Sequence, residues 1–396
     1  MSTLSARTSV VVRLGVAQTL AWASSYYLPA MLAPAMAADL GVSPSLVFGA
    51  FSLALVVTAL LGRWAGRLID RHGGRPVLVG TNVLFAAGLA GMALAQGPVA
   101  LYLAWVVMGV AMAAGLYEGA FSALVRLYGH EARSSITGIT LIAGFASTVG
   151  WPLSAWAEHV WGWRGACLLW MGLHLLVALP LNASLPSAIR HAPVPLADTG
   201  AAPVGAKAAL SSLWPTVLLA AVFALAWFVS TAMAAHLPRL LQTQGLSLGV
   251  ALGMAALVGP AQVAGRLLEF GLLRRAHPLL SAQVATLTHP LGALLFMGLG
   301  APVAWLFAVL HGAGNGILTI AKGTLPLAIF GSQGYGARQG VLMAPARLAQ
   351  ALAPLAFGWV LDRFGGTVAL WVSSLAGLTA LYALWWLKRG LSPAAA

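Results

Sequence analysis

Charge is what this sequence has least of. Only 7% of its 396 residues are Asp, Glu, Lys or Arg, where a soluble domain carries roughly a quarter. Acids are the scarcer sign, 8 against 21 Lys and Arg, for a formal net charge of +13. Cysteine is nearly missing: Cys167 stands alone, which excludes an intrachain disulfide and a cysteine-based metal cluster. Inside an apolar run it reads as a small core residue. There is no Walker A loop, metal-ligand run or Ser/His/Asp arrangement, and Gly73-Gly74 follows no strand, so it is not a phosphate loop. No cofactor, metal, ATP use or enzymatic activity is expected.

What fills the chain instead is apolar: 60% hydrophobic residues and a mean hydropathy of +0.89. That composition makes it an all-α polytopic membrane protein, with the lipid bilayer as its main surroundings. In a soluble protein the basic excess would suggest nucleic acid. Here the cations sit in short loops, as the positive-inside rule requires, and no nucleic-acid partner is expected. The start of the chain (Arg7, Arg13, an apolar run, then Ala-Pro-Ala-Met-Ala-Ala at 33–38) resembles a signal peptide. The run 14–36 is nevertheless long enough to span a bilayer, so it reads as an uncleaved first span.

Apolar runs of about 20 residues place spans at 14–36, 46–65, 76–95, 99–127, 136–156 and 165–181, then at 213–237, 248–268, 279–299, 302–327, 340–360 and 368–387. Between the sets lies an Ala-, Pro- and Gly-rich polar segment without apolar periodicity, a flexible linker. The expected organisation is therefore an N-terminal six-helix bundle (1–181), a cytoplasmic linker (182–212) and a C-terminal six-helix bundle (213–396). With the N-terminus inside, the inner loops hold Arg63, Arg67, Arg71, Arg75, Arg126, Arg133, Arg190, Lys207, Arg274, Arg275 and Arg338, and the tail adds Lys388 and Arg389. Outer loops hold Arg164, Arg239 and Arg363. Both termini are expected to be cytoplasmic, in a cell (inner) membrane, of bacterial type.

The halves repeat in detail. Ala104-Trp105 returns as Ala304-Trp305, Glu118-Gly119 as Lys322-Gly323, Ala132-Arg133 as Ala337-Arg338 and Pro152-Leu153 as Pro354-Leu355. The charge-dense stretch from Gly66 to Arg75 (Gly-Arg-Leu-Ile-Asp-Arg-His-Gly-Gly-Arg), read as a loop, has a degenerate copy from Gly265 to Arg275. An ordered series of this kind indicates duplication, and two parallel six-helix halves fit a transporter with its site at their interface.

The stretch Gly66–Arg75, with Gly66, Asp70, Arg71, Gly73 and Arg75 in the expected places, resembles the signature of the major facilitator superfamily, and Gly162-Trp163-Arg164 is another of its features. The resemblance covers the whole chain in helix count, orientation, linker and repeat. It implies twelve transmembrane helices in two pseudo-symmetric bundles, with helices four and ten lining a central cavity. A fainter likeness is to the bacterial monocarboxylate and oxalate/formate permeases, which carry an arginine within helix eight. That position is Ala261 here, and Arg266 occupies the place of Arg67 instead.

An ionisable residue within a span costs at least about 2.5–3.5 kcal/mol at the bilayer centre, so it usually faces a cavity or a partner. Glu118 in span four and Lys322 at the matching position in span ten are candidates to pair across the cavity. Glu118 is also a candidate proton carrier. Arg347, well inside span eleven, carries a forked, permanent cation suited to an oxyanion. Tyr27 and Asn315 are further candidate substrate contacts, and His311 a second candidate for proton coupling. For each of these the plain alternative is a structural pair or an interhelical hydrogen bond. Asp70 is expected to meet the positive N-terminal end of helix eleven near Gly340; Gly66 lets helix two approach its neighbour closely, and the resemblance implies that Arg71 and Arg75 complete a conformational lock. Gly265, Arg266 and Glu269 would form its less complete copy.

The expected function is secondary active transport by alternating access. The cations Arg347 and Lys322 outnumber Glu118, which favours a small organic anion such as a carboxylate, moved with protons or by exchange, by a monomer. Proton-driven efflux of a drug or amphiphile is the alternative within transport, and a membrane solute sensor is the alternative outside it.

Overall fold

The structure, a computed structural model, describes residues 3–187 and 206–391, with side chains from 6–187 and 213–391. The described residues are helical, with no strand among them. Twelve spans follow one another. Span 1 is Thr3–Ala23 continued by Leu28–Leu40, span 2 is Pro44–His72, span 3 is Gly74–Ala93, and span 4 is Pro98–Gly115 continued by Tyr117–Tyr128. Span 5 begins at Ala132–Ala143 and continues into Ala146–Leu173, which breaks at Gly162 (φ +70°) to start span 6. In the second half, spans 7 to 10 are Ala206–Thr243, Leu248–Ala256 with Val258–Gly271, Pro278–Leu299 and Ala304–Phe330. Tyr335–Gly390 breaks at Gly365 (φ +80°) into spans 11 and 12. Glycine at both breaks allows a left-handed φ that other residues take with strain. The expected linker, 182–212, lies mostly outside the described residues; at its edges Ala183 ends one helix and Ala206 begins the next.

Large apolar side chains such as Leu60, Leu94, Val99, Leu176 and Leu355 face outward, each more than seven-tenths exposed. That surface suits hydrocarbon rather than water, as expected for a multi-pass membrane protein. Inside, each half packs around its own apolar core, the first holding Trp105, Phe121 and Trp170, the second Phe223, Phe307 and Phe357.

The stretch Gly66–Arg75 is not a loop. Nothing in it breaks a helix before Gly73, so span 2 runs on to His72; Gly73 (φ +83°) then turns the chain directly into span 3. The copy behaves alike: Gly265 to Gly271 is helical, and only Leu273–Arg275 tightens into a 3-10 turn. Span 11 also begins earlier than its apolar run indicates, at Tyr335 instead of Gly340.

The two halves meet along spans 2 and 11 at the face that carries Asp70. A β-carbon at Gly66 would overlap the Gly336 carbonyl, and one at Gly340 would overlap the Gly62 backbone. Only glycine permits this approach. Further contacts between the halves reach inward to Tyr26 and Thr231, whose hydroxyls lie 3.5 Å apart.

Candidate functional site

Span 4 stops at Leu116, whose extended backbone (φ −88°, ψ −167°) separates two helices. Gly119 makes the break possible, since a β-carbon there would overlap the Ala114 carbonyl. The Gly115 carbonyl freed by the break accepts from Gln18 Nε2 at 2.7 Å. As a result Glu118 lies in the first turn of a new helix, where the helix dipole favours a carboxylate. From the other half, Lys322 Nζ donates to its Oε1 at 3.1 Å and Arg347 Nη2 to its Oε2 at 2.8 Å. The three side chains are buried, Glu118 at 11% exposed being the most open. The sequence left open which cation pairs with Glu118; both do.

A chain of polar contacts leads away from this triad. Arg347 Nη1 donates to Gln350 Oε1 (3.0 Å), and Gln350 Nε2 donates to Tyr26 OH (3.2 Å). Aromatic rings enclose the cations: Lys322 Nζ sits 4.9 Å from the Trp227 ring centre, 5.1 Å from Tyr117 and 5.6 Å from Trp22. Such contacts are worth about 2 kcal/mol when desolvated. The indole N–H groups of Trp22 and Trp227 are buried without a protein acceptor, as are Nε and Nη1 of Arg266. Arg266, 5% exposed, reaches across to Gly144 of span 5, where a β-carbon would collide with Nη1. Its surroundings thus differ from those of exposed Arg67 despite the matching position.

The other sequence candidates fall into two groups. Tyr27 joins the aromatic wall, edge-on to Tyr26 and Trp151. Asn315 and His311 lie apart, within the second half, where His311 Nδ1 is 3.0 Å from His289 Nδ1 and Asn315 Oδ1 has no protein donor. At the charged face Asp70 accepts from the N–H groups of Gly336 (3.0 Å) and Ala337 (2.9 Å), the first turn of span 11 and one turn before Gly340. Arg71 is exposed and Arg75 reaches Ser187 Oγ (3.3 Å), so neither joins Asp70 in its contact between halves. In the copy, Glu269 accepts from Ser281 Oγ (2.6 Å) and pairs with Arg133 Nη2 of the first half (3.4 Å). Beside it His277 caps span 9 by accepting from Leu279 N–H at 3.1 Å. Partial burial, with Arg133 and Lys388 nearby, keeps this histidine neutral to lower pH than usual.

Sequence reading missed Trp22, Gln350 and His289, and did not show that Arg266 is buried. A tryptophan in an apolar run carries no signal of its own. His289 could have been noticed, being one of few titratable residues within a span.

The family model of the Major Facilitator Superfamily matches residues 14–321, and the chain belongs to that superfamily. It is a membrane transporter, not an enzyme. It is 26% identical over 345 residues to the 3-(3-hydroxy-phenyl)propionate transporter of Escherichia coli (strain K12), covering 84% of this chain and 81% of that protein. Over 161 residues, 39% of this chain and 40% of the relative, it is 29% identical to the multidrug resistance protein MdtH of Aeromonas hydrophila. In fold it matches the proton:xylose symporter XylE bound to 6-bromo-6-deoxy-D-glucose with a TM-score of 0.75, covering 97% of this chain and 96% of that one at 14% identity.

Proposed function

We propose that the protein moves a small organic anion, an aryl-substituted carboxylate, across the inner membrane by alternating access, coupled to protons. The observation that carries this reading is the charge at the meeting point of the halves. Lys322 and Arg347 share the single carboxylate of Glu118, buried Arg266 adds a third cation, and the other buried carboxylate, Glu269, is held by Arg133 and Ser281. The indole N–H groups of Trp22 and Trp227, whose rings face Lys322, and Nε and Nη1 of Arg266 are donors without protein partners, beside the open acceptors Gln18 Oε1 and Gln339 Oε1. Donors and cations left open in a low-dielectric site are satisfied by an acceptor-rich anion. The aromatic rings of Trp22, Tyr26, Tyr27, Tyr117 and Trp227 offer the apolar part of such a solute a face to stack on. The relative that transports 3-(3-hydroxy-phenyl)propionate supports the same class of solute.

In this reading the face carrying Asp70 is cytoplasmic and closed. Asp70 on the N-terminus of span 11, and Glu269 with Arg133, hold it shut. An incoming carboxylate competes with Glu118 for Arg347, loosening a contact that bridges the halves, and the halves rock. The test is uptake of labelled 3-phenylpropionate into proteoliposomes: the wild type accumulates it and Arg347→Ala does not, although the variant purifies from the membrane folded. Full transport by Arg347→Ala would end the anion-site reading.

A second reading is supported by the partial likeness to a multidrug resistance protein and by the same aromatic wall. Efflux of an amphiphile would then use Glu118 as the coupling acid. It accounts less well for three cations, which repel the cationic compounds that an aromatic wall attracts.

A further inference from the structure

Away from the triad, the core of the second half contains a small cavity of about 30 Å³, lined on span 7 by Ser230, on span 9 by Thr286 and His289, on span 10 by His311 and Asn315, and on span 12 by Gly377. That is room for one or two water molecules. His289 Nε2 and Asn315 Oδ1 are buried there without protein partners. The imidazoles meet edge to face, Nδ1 to Nδ1 at 3.0 Å. One nitrogen therefore donates its hydrogen and the other accepts, and the pair has room for one further proton.

The first half holds a buried histidine of the opposite kind. There His174 is satisfied on both sides: Nδ1 donates to Asn82 Oδ1 (3.0 Å), Nε2 accepts from Ser24 Oγ (2.7 Å), and the ring stacks on Phe85. At the spacing of the two glycine breaks, Gly162 and Gly365 (365 − 162 = 203), His174 corresponds to Gly377 (377 − 174 = 203), which lines the cavity.

We propose that the His289–His311 pair and its cavity are the proton-binding site that couples transport, a role for which the sequence offers Glu118 and His311. The inference rests on the proposed function for the identity of the solute and for its coupling to protons. In the tautomer where His289 donates Nδ1–H to His311, its Nε2 lone pair faces the cavity. A proton delivered through cavity water forms one N–H bond at Nε2, and the imidazolium keeps its Nδ1–H on His311. Release breaks the same bond and returns the proton to water. The cavity lining from spans 7, 9, 10 and 12 carries no other titratable or charged side chain. Glu118 is a poorer carrier, because a proton on it strands Lys322 and Arg347 without their counter-charge.

The site is linked to the triad through span 10. His311, Asn315, Leu318 and Lys322 follow one another at spacings of four, three and four residues, one stripe of a helix, with about 16 Å between its ends. A positive charge gained at the histidines favours an anion at Lys322, and by linkage the bound anion favours the proton.

The test counts protons. Calorimetric titration of the purified full-length protein with 3-phenylpropionate, in buffers of different ionisation enthalpy, gives the protons taken up per anion bound. The wild type should take up about one in mildly acidic buffer, and His311→Gln and His289→Gln about none, while both variants still exchange the anion in proteoliposomes and remain folded. Unchanged proton uptake in both histidine variants overturns the proposal. If the wild type binds no aryl anion, the proposed solute fails, and a ligand-free measurement decides the histidine site. Hydrogen–deuterium exchange at imidazole C2, followed from about pH 4 to 8, should show a His289 titration that His311→Gln displaces, with His174 unaffected. A His289 signal indifferent to His311→Gln overturns the site independently of any substrate.

Discussion

The two halves of this transporter repeat one fold and differ in what they leave unfinished. In the first half one buried cluster closes on itself, His174 with Asn82 and Ser24, and Gln18 Nε2 meets the Gly115 carbonyl at the span 4 break, while Gln18 Oε1 and the indole N–H groups of Trp22, Trp105 and Trp163 stay without protein partners. The second half supplies Lys322, Arg347 and Arg266 to the centre, and keeps open groups on Arg266, Trp227, His289 and Asn315. Satisfied networks rigidify, and open ones are available to a ligand or a proton. In the proposed function the second half contributes Lys322 and Arg347 to the triad, with Glu118 and Trp22 as the first half's contribution to the centre.

The largest effect expected from breaking this division is at Glu118, where the halves are joined. Glu118→Gln leaves two buried cations without their counter-charge, a loss of about 3–5 kcal/mol. It should lower the thermal midpoint by several degrees and abolish transport. Next, His174→Ala should lower the midpoint clearly, because it opens a cavity and strands Asn82 and Ser24, together worth about 2–4 kcal/mol. His289→Ala, in the second half, should change the midpoint much less and the pH dependence of transport much more. Equal destabilisation by the two histidine variants would erase the proposed contrast.

Arg266→Gln sharpens the comparison on the binding side. It removes one charge-assisted contact to the anion, of about 1.5–3 kcal/mol, and should raise the half-saturating concentration roughly 10- to 100-fold. The smallest effect is at the seam. Asp70→Asn weakens two charge-assisted bonds to span 11, shifting the access equilibrium by about 1–2 kcal/mol toward opening of that face. Because Cys167 is the only cysteine and is buried, a single cysteine introduced beneath the seam can report the shift as faster labelling.

Much of this was legible in the sequence. Twelve apolar runs indicated the architecture, and Glu118, Lys322 and Arg347 stood out within them, because burying a charge in hydrocarbon is costly enough to mark its site. The stretch Gly66–Arg75 misled because dense charge suggests a loop, while helical backbone tolerates charge at a membrane surface until glycine ends it. Arg266 misled for the opposite reason. Its position in the repeat matched Arg67, but Gly144 on another span makes the room that buries it. Of the histidine pair, His311 stood out in the sequence and His289 did not, because a histidine in an apolar run does not show which residue on another span it meets.

The central claim is that the meeting point of the halves selects negative charge. The most direct measurement is competition against exchange of labelled 3-phenylpropionate in proteoliposomes by three compounds of matched shape: unlabelled 3-phenylpropionate, the neutral 3-phenylpropanol and the cationic 3-phenylpropylamine. The account predicts displacement by the carboxylate, with the alcohol and the amine at least roughly tenfold weaker, the equivalent of one charge-assisted contact. Equal or stronger displacement by the amine would contradict it and favour efflux of cationic amphiphiles.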